Sequence, residues 1–293
     1  MENAVKCDTL DLVSIVVVTR NQSDVVTETL DSIYNQTYSR IELIVSDDFS
    51  KDDTVENVKR WVADHRERFE DVRLLISQTN VGVTKNCNKG MLSSNGVYAQ
   101  LIAGDDLLLP TAIEEKVAFS KKTGLPWFVT KVEIFGSDQA RKQLKNSYCE
   151  KGYEIISKGY EAQVENIIYG NYIQGPAASF FEMAYFRKIG GYDERYTMME
   201  DYPFIFHYLM GGNEIVLLDK ALVRYRVSGR SLSTNKKSPL YNSVRKFFFR
   251  EQVPQLLKRG KIGYVLYRIA RFGYEMLQHW IYAIKAGGKK WDR

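Results

Sequence analysis

Two pairs of neighbouring acids follow apolar segments in the first half of the chain. Asp47-Asp48 comes after the run Ile41–Ser46, and Asp105-Asp106 comes after Val97–Ala103. Adjacent carboxylates repel each other unless a cation relieves the repulsion, and hard divalent cations such as Mg²⁺ or Mn²⁺ bind carboxylate oxygens together with substrate phosphates. Each pair also has a simpler reading, as a helix cap or a solvated turn before the helix that follows.

The elements that position these acids alternate between strand and helix patterns. Short β-branched apolar runs predict strands buried on both faces, and residues of helical spacing lie between them. The predicted strands are Leu12–Val18, Ile41–Ser46, Val72–Ile76 and Val97–Ala103, and the predicted helices are Asp24–Tyr34, Asp52–His65, Thr84–Leu92 and Thr111–Lys122. This alternation is typical of an α/β fold with a mostly parallel sheet. Because ligands bind beyond the carboxyl ends of such strands, we expect both acid pairs at one rim.

A third acid pair, Glu200-Asp201, precedes the apolar segment Pro203–Met210. Acids favour the N-terminus of a helix, where they interact with the helix dipole. From the residues alone, this structural role and a functional role are equally open.

A series of short motifs resembles family 2 glycosyltransferases of the GT-A type. The resemblance extends from about Leu12 to Ser233, in the order and spacing of that family. Its motifs are Val13–Val18 with Thr19-Arg20-Asn21, Asp47–Thr54, Asn80–Gly90, Gly104–Pro110, Gly190-Gly191-Tyr192-Asp193 and Glu200-Asp201. It implies a GT-A domain over residues 1–235, with a nucleotide-sugar half at 12–110 and an acceptor half at 111–235. Residues 236–293 would form a basic, helical, membrane-associating tail.

The resemblance also implies roles for single residues at the nucleotide end. Asp48 would accept a hydrogen bond from the uracil ring of a UDP-sugar, with Asp47 and Thr19 nearby. Asp105 and Asp106 would hold Mn²⁺ or Mg²⁺ against the donor diphosphate, and Lys85 is a candidate phosphate contact.

At the acceptor end the resemblance makes Asp201 the general base. Glu200 would support it or bind the acceptor.

The sequence departs from the family pattern at three positions. Ala103 replaces the first acid of the metal-binding triplet, so the metal would rest on Asp105 and Asp106. Cys87 stands where a basic residue is common. Ser228 stands where many bacterial members carry a histidine, which removes a third protein ligand of the metal.

Charge is distributed unevenly along the chain. Residues 236–293 carry 14 Lys/Arg and 3 acids, a net charge of +11, which leaves 27 bases and 33 acids, a net of −6, for the remainder. The tail also carries an apolar stripe at helical spacing. Its members are Ile262, Val265, Leu266, Ile269, Phe272, Met276, Leu277, Trp280, Ile281 and Ile284. Such a helix fits the surface of an anionic membrane, or it packs its stripe on the catalytic domain. No nucleic-acid-binding module accompanies the charge, so we expect no nucleic-acid partner.

Composition limits the remaining classes. A 293-residue chain with 44% hydrophobic residues can form an ordinary core, and no apolar run approaches the length of a membrane span. The polar start lacks the pattern of a signal peptide, and three cysteines show no paired spacing.

The combined expectation is a peripheral enzyme on the cytoplasmic face of the inner membrane. It would transfer a sugar, glucose or galactose, from a UDP-sugar to a polyprenyl-diphosphate-linked acceptor, N-acetylglucosamine, in O-antigen or capsule synthesis, and would form a β-linkage. The alternatives are a nucleotidyltransferase that forms a nucleotide-sugar, and a non-catalytic glycan- or lipid-binding subunit.

Overall fold

A computed structural model describes residues 10–136, 149–173, 175–227 and 240–285, with side chains up to residue 275. Its first half alternates strands and helices. The strands are β1 (Val13–Thr19), β2 (Ile41–Asp47), β3 (Asp71–Ile76) and β4 (Tyr98–Ala103), and the helices are α1 (Val26–Tyr34), α2 (Thr54–His65) and α3 (Val83–Leu92). β1 lies between β2 and β4, with β3 outside β2, and all these pairings are parallel.

Residue type explains the central position of β1 and β2. Val13, Ile15 and Val17 of β1 and Leu43 of β2 have no exposed surface, because helices cover both faces of the sheet. On α1, Val26, Leu30 and Ile33 recur at helical spacing and are equally buried.

The second half extends the same sheet. It contributes β5 (Leu107–Leu108), β6 (Trp127–Gly136), β7 (Ser179–Glu182) and β8 (Leu217–Val227), with α4 (Ala112–Thr123), α5 (Cys149–Ser157), α6 (Tyr160–Ile167), α7 (Met183–Lys188) and α8 (Asp201–Met210). The strand order is β3-β2-β1-β4-β7-β6-β8-β5. β7 is antiparallel to β4 and β6, β5 is antiparallel to β8, and β6 and β8 are parallel. The expectation of a mostly parallel α/β sheet flanked by helices is confirmed.

An aromatic cluster fixes α8 on this second half. Phe204 of α8 lies edge-on to Trp127 of β6, with ring centroids 4.9 Å apart, and to Phe181 of β7 at 5.2 Å. Trp127 and Phe181 have no exposed surface. Such pairs contribute about 0.5–1.5 kcal/mol beyond their burial, so the start of α8 is held firmly against the sheet.

The chain divides into two compact units, of which the second begins at Tyr241. The described part of the second unit contains α9 (Leu240–Phe247), a π-helical turn (Phe248–Gln252), α10 (Val253–Lys258) and α11 (Ile262–Lys285). The boundary expected between residues 235 and 236 lies outside the described residues and stays a prediction. None of the helices in the described ranges combines the length and the apolar character that crossing a membrane requires.

Within the second unit, α11 divides the predicted apolar stripe between two faces. Phe272 contacts the Phe248 ring at 5.4 Å, and the Arg268 guanidinium lies over both rings. Ile262, Leu266 and Ile269 are instead 57%, 61% and 43% exposed. The stripe is therefore partly core and partly open surface, and its members from Met276 onward lie outside the described side chains.

Predicted element limits deviate by a few residues. α1 begins at Val26 rather than Asp24, and α2 begins at Thr54 rather than Asp52. α8 begins at Asp201, two residues before Pro203, so Asp201 belongs to the first turn of the helix and Glu200 directly precedes it.

Candidate active site

The carboxyl ends of β1, β2 and β4 bring two of the acid pairs together. Thr19, the last residue of β1, is in register with Asp47 of β2. On the other side of β1, Val18 is in register with Ala103, two residues before Asp105. Asp47-Asp48 and Asp105-Asp106 therefore flank the end of one strand, at a single edge of the sheet.

Asp47 and Asp48 accept hydrogen bonds from two different loops. Asp47 Oδ1 accepts from the backbone N–H of Ser50 at 2.9 Å, and Asp47 Oδ2 accepts from the Ser50 hydroxyl. Asp48 Oδ1 and Oδ2 accept from the N–H groups of Val81 and Gly82 at 2.7 and 3.0 Å. Asp47 thus shapes its own turn, whereas Asp48 anchors the loop before α3 and keeps lone pairs for a further donor.

The loops that follow β1 and β2 are strained. Asn21 and Phe49 are the two non-glycine residues with positive φ in the described ranges, at 52° and 62°. A bulky residue in the left-handed region costs of order 1–3 kcal/mol and persists only where its surroundings hold it. Asn21 N–H donates to Ser50 Oγ at 2.9 Å, and Lys51 N–H donates to Asn21 Oδ1 at 2.8 Å, so each loop holds the other.

Asp105 and Asp106 differ in their surroundings. Asp106 is 2% exposed, and its Oδ1 accepts the backbone N–H of Arg226 on β8 at 2.8 Å. Burial and the neighbouring Asp105 carboxylate raise the pKa of Asp106 well above its usual value. Asp105 is partly exposed, and burial raises its pKa while Arg226 and a hydrogen bond from Gln22 oppose the rise. Asp105 is thus the more accessible of the two predicted ligands.

A notch beside Asp105 suits a small cation. Thr19 Oγ1 and Gln22 Oε1 are buried oxygens without a hydrogen-bond partner. A Cβ at Gly104 would come within 3.0 Å of Thr19 Oγ1 and 2.6 Å of Gln22 Oε1, so this glycine keeps the notch open. Carboxylate, amide and hydroxyl oxygens are ligands that Mg²⁺ and Mn²⁺ accept, and the residues present therefore fit such an ion. Ser228 lies outside the described residues.

Helix α3 lies beside the nucleotide end. Lys85 is on its exposed side, whereas Lys89 Nζ donates to Ser77 Oγ at 2.6 Å, to the carbonyl of Leu75 at 2.8 Å and to that of Asp47 at 3.2 Å. Cys87 is 1% exposed. Burial raises the pKa of its thiol, and Glu200, Asp201 and Asp48 raise it further.

The same helix connects the nucleotide end to the third acid pair. Thr84 Oγ1 donates to the carbonyl of Tyr196 at 2.6 Å. Asn88 Nδ2 donates to the carbonyl of Tyr192 at 2.9 Å, and Asn88 Oδ1 accepts the Tyr192 N–H at 2.8 Å. These bonds fix the loop that leads into Glu200 and Asp201.

Glu200 and Asp201 form a partly exposed, electrostatically coupled pair. Glu200 directly precedes α8 without a side-chain cap bond, and Asp201 lies in the first turn, where acids interact favourably with the helix dipole. Burial, followed by the Asp201 charge, raises the pKa of Glu200 to about 8. Burial also raises the pKa of Asp201, although hydrogen bonds from the Tyr202 N–H at 2.7 Å and from Asn171 Nδ2 at 3.1 Å oppose the rise. Burial therefore favours the protonated form of both acids, and Asp201 is the member whose carboxylate accepts hydrogen bonds from a backbone N–H and a side chain.

Tyr225 brings the third pair into the same site. Burial raises the pKa of its phenol, and the carboxylates of Asp106, Asp105 and Asp201 add to the rise. Asp201 thus shares the Tyr225 phenol as a neighbour with Asp105 and Asp106, and it shares the Cys87 thiol as a neighbour with Asp48. Lys85 is the one predicted site residue that no contact connects to the cluster in the described structure.

Sequence reasoning missed Gln22, Asn171 and Tyr225. Each contributes through a contact that is distant in sequence, such as the 30 residues between Asn171 and Asp201. Gln22 had a local signal, because it directly follows the Thr19-Arg20-Asn21 motif at the end of β1.

The model of the family described as "Glycosyl transferase family 2" matches residues 14–190, more than half of the chain. The match covers every strand from β1 to β7 and ends ten residues before Glu200.

Two relatives of the chain are also named as glycosyltransferases. The chain is 32% identical over 110 residues to "Putative glycosyltransferase EpsE" of Bacillus subtilis, covering 38% of each chain. It is 26% identical over 230 residues to "UDP-Glc:alpha-D-GlcNAc-diphosphoundecaprenol beta-1,3-glucosyltransferase WfaP" of Escherichia coli, covering 78% of this chain and 82% of that one. The chain thus spans well under half of the first relative and most of the second.

A solved structure shares the fold. The structure of S. aureus TarS 1-349 in complex with UDP-GlcNAc superposes with a TM-score of 0.59 at 22% identity, over 80% of this chain and 64% of that one. At this identity the similarity shows the GT-A fold, which confirms the fold expected from the motifs.

Proposed function

The chain belongs to glycosyl transferase family 2, and on that premise we propose that it transfers a hexose from a UDP-sugar to a hydroxyl group of a polyprenyl-diphosphate-linked saccharide. The observation that carries the proposal is the convergence of Asp48, Asp105 and Asp201 on one site. The similarity to WfaP, whose name specifies UDP-Glc and a GlcNAc-diphosphoundecaprenol acceptor, favours glucose as the donor sugar and lipid-linked N-acetylglucosamine as the acceptor.

The strand ends would bind the donor. Asp48 accepts from the uracil N–H, with Asp47 and Thr19 alongside, and Lys85 on α3 approaches the diphosphate. Asp105, supported by Asp106, would hold Mn²⁺ or Mg²⁺. A bound divalent ion offsets the negative charge that develops on a departing diphosphate.

Asp201 would remove the proton from the acceptor hydroxyl. The acceptor oxygen forms a bond to the anomeric carbon while the bond from that carbon to the diphosphate oxygen breaks, and its electron pair leaves with UDP. Attack from the opposite side inverts the anomeric centre, so a UDP-α-sugar yields a β-linkage. Glu200, whose raised pKa favours the protonated form, would donate a hydrogen bond to the acceptor, which leaves Asp201 as the proposed base.

The second unit would attach the enzyme to an anionic membrane surface, where a lipid-linked acceptor resides. Ile262, Leu266 and Ile269 present an exposed apolar face on α11. The net charge of +11 over residues 236–293 complements anionic lipid, with about 1 kcal/mol for each base near the surface. We place this surface on the cytoplasmic face of the inner membrane, in O-antigen or capsule synthesis.

A substrate panel tests the enzymatic proposal. The purified protein is incubated with UDP-glucose, UDP-galactose or UDP-GlcNAc, with Mn²⁺ or Mg²⁺, and with GlcNAc-diphosphate that carries a short alkyl chain. UDP release that requires the acceptor supports transfer. Consumption of UTP with a sugar phosphate indicates a nucleotidyltransferase, and glycan binding without turnover indicates a binding subunit.

A double substitution tests the membrane proposal. Leu266→Ser with Ile269→Ser removes exposed apolar side chains, so the fold should persist while binding to anionic vesicles weakens by about 10-fold or more. Leu92→Ser changes an equally exposed leucine of the first unit and should leave binding unchanged. Equal binding of wild type and double variant would exclude this face of α11.

A further inference from the structure

Asn171 and Gly175 both lie against the Asp201 carboxylate. Asn171 Nδ2 donates to Asp201 Oδ2 at 3.1 Å, and the Tyr202 N–H donates to Asp201 Oδ1 at 2.7 Å. Both carboxylate oxygens are thus fixed, one by the backbone of α8 and the other by a side chain 30 residues earlier in the sequence.

The amide of Asn171 has a defined orientation. Its Oδ1 accepts the backbone N–H of Ile173 at 2.9 Å, which is a turn typical of asparagine. Because the oxygen end is fixed by this bond, the NH₂ end is the one that faces Asp201. An amide with this polarity stabilises the charged form of a carboxylate.

Gly175 also borders the Asp201 carboxylate, next to the oxygen Oδ2. A Cβ at this position would lie 3.1 Å from Asp201 Oδ2, closer than an ordinary van der Waals contact. The φ of Gly175 is −75°, so the backbone does not demand glycine there. The space that glycine leaves is occupied by the carboxylate oxygen that Asn171 holds.

Among the residues that the structure describes, the titratable groups that act on Asp201 or respond to its charge carry no positive charge. They are Glu200 beside it, Cys87 of α3, Tyr192 of the Gly-Gly turn and Tyr225 of β8. Hydrogen bonds are therefore what opposes the rise in the Asp201 pKa that burial causes, and the Asn171 side chain provides one of them.

We propose that Asn171 is a positioning residue for Asp201, and that Gly175 leaves the room in which Asn171 holds the carboxylate toward the acceptor. This inference rests on the proposed role of Asp201 as the base. Asn171 would act through Asp201. It fixes the direction of the carboxylate and favours its deprotonated form.

Substitution of Asn171 tests the inference in the full-length protein. Asn171→Asp keeps the size of the side chain and an oxygen for the Ile173 N–H, but loses the donor to Asp201. We expect turnover of UDP-glucose with the alkyl-linked GlcNAc-diphosphate to fall about 10-fold to 100-fold, the range for partners that orient an active group. The acidic limb of the turnover–pH profile should move up by about one pH unit or more, with unchanged affinity for UDP.

A second test substitutes Gly175 and still applies if Asn171→Asp does not fold. Gly175→Ala pushes on Asp201 Oδ2 and should lower turnover with UDP affinity intact. Gly170→Ala is its control, because a Cβ there meets Tyr172 at an ordinary 3.8 Å. Asn166→Ala is the control for Asn171, since its amide bonds the carbonyl of Ala162 within α6.

A readout independent of turnover separates this inference from the proposed function. Spectra of the protein labelled with ¹³C at aspartate carboxyls give the Asp201 pKa directly, with the signal assigned by its loss in Asp201→Asn. A higher Asp201 pKa in Asn171→Asp supports the inference even where no sugar is transferred. An unchanged Asp201 pKa and an unmoved acidic limb overturn it, even if turnover falls.

Discussion

The pairs Asp105-Asp106 and Glu200-Asp201 each join two neighbouring carboxyl groups whose pKa burial raises, but in the described residues a cation acts on the first pair alone. Arg226 lies beside the first pair, donating from its N–H to Asp106 Oδ1 and from Nε to the carbonyl of Asp105. The second pair is faced by a thiol and two phenols, and one of its members, Glu200, has a pKa of about 8. A nearby cation favours charged oxygens that bind a metal, whereas desolvation without a cation favours proton exchange.

Within each pair the two acids have different surroundings, and the cause of the difference is not the same in the two pairs. In the first pair, the backbone N–H of Arg226 on β8 donates to the buried Asp106, whereas Asp105 stays partly exposed. At Glu200-Asp201, hydrogen bonds from Tyr202 and Asn171 favour the charged form of Asp201, whereas burial and the Asp201 charge favour the protonated form of Glu200. The comparison predicts that equivalent substitutions in the two pairs will have different consequences.

The largest expected effect is loss of the base. Asp201→Asn keeps the shape of the side chain but cannot accept a proton, so turnover should fall on the order of 10²–10⁴-fold. UDP affinity, measured by isothermal titration, should persist, because Asp48 and Asp105 are unchanged. Glu200→Gln keeps a neutral hydrogen-bonding group and should have a milder effect.

The reverse result would exchange these roles. If Glu200→Gln is inactive while Asp201→Asn transfers sugar near the wild-type rate, Glu200 is the base. If both variants are active, this pair takes no part in proton removal.

Substitutions in the other pair should separate metal binding from stability. Asp105→Asn is expected to weaken Mn²⁺ binding, measured by titration in the presence of UDP, and to lower turnover about 100-fold, since a bound ion contributes several kcal/mol to such a transition state. Asp106→Ala should mainly lower the free energy of unfolding, because it removes the buried acceptor of the Arg226 N–H. Full activity in a chelator would remove the metal assignment from both.

The sequence indicated the fold because its signals are local. Buried β-branched runs and helical spacing located β1 to β4 and α1 to α4 to within a few residues. It also indicated which acids would meet, since parallel strands end at one edge. It could not indicate how the two members of a pair differ, because the residues that distinguish them are distant in sequence. Arg226 is 120 residues from Asp106, and Asn171 is 30 residues from Asp201.

The same limit applies to α11. Periodicity predicted one helix with one apolar stripe, and the helix is present from Ile262 to Lys285. Periodicity does not specify which part of the stripe meets Phe248 and which part stays open, because that depends on where α9 and the π-helical turn place their aromatic rings.

The smallest expected effect concerns stability and tests whether desolvation controls the Glu200-Asp201 pair. The pKa of Glu200 is raised from 4.5 to about 8 in the folded protein. Between these values the unfolded chain has released the Glu200 proton while the folded chain retains it. The folded state therefore binds more protons, and the free energy of unfolding falls as pH rises through this window.

Glu200→Gln removes that loss, because glutamine does not titrate. Relative to wild type, the variant should gain about 1–2 kcal/mol of unfolding free energy between pH 5 and pH 8.5, a figure reduced from the full pKa shift because Glu200 is partly exposed and interacts with Asp201. Urea unfolding at both pH values measures the gain, and Glu67→Gln, at an exposed glutamate, is the control. A difference between Glu200→Gln and wild type that does not change with pH would mean that Glu200 is ionised in the folded protein. The two acid pairs would then differ in their partners alone and not in their protonation, and Glu200 could compete with Asp201 for the role of base.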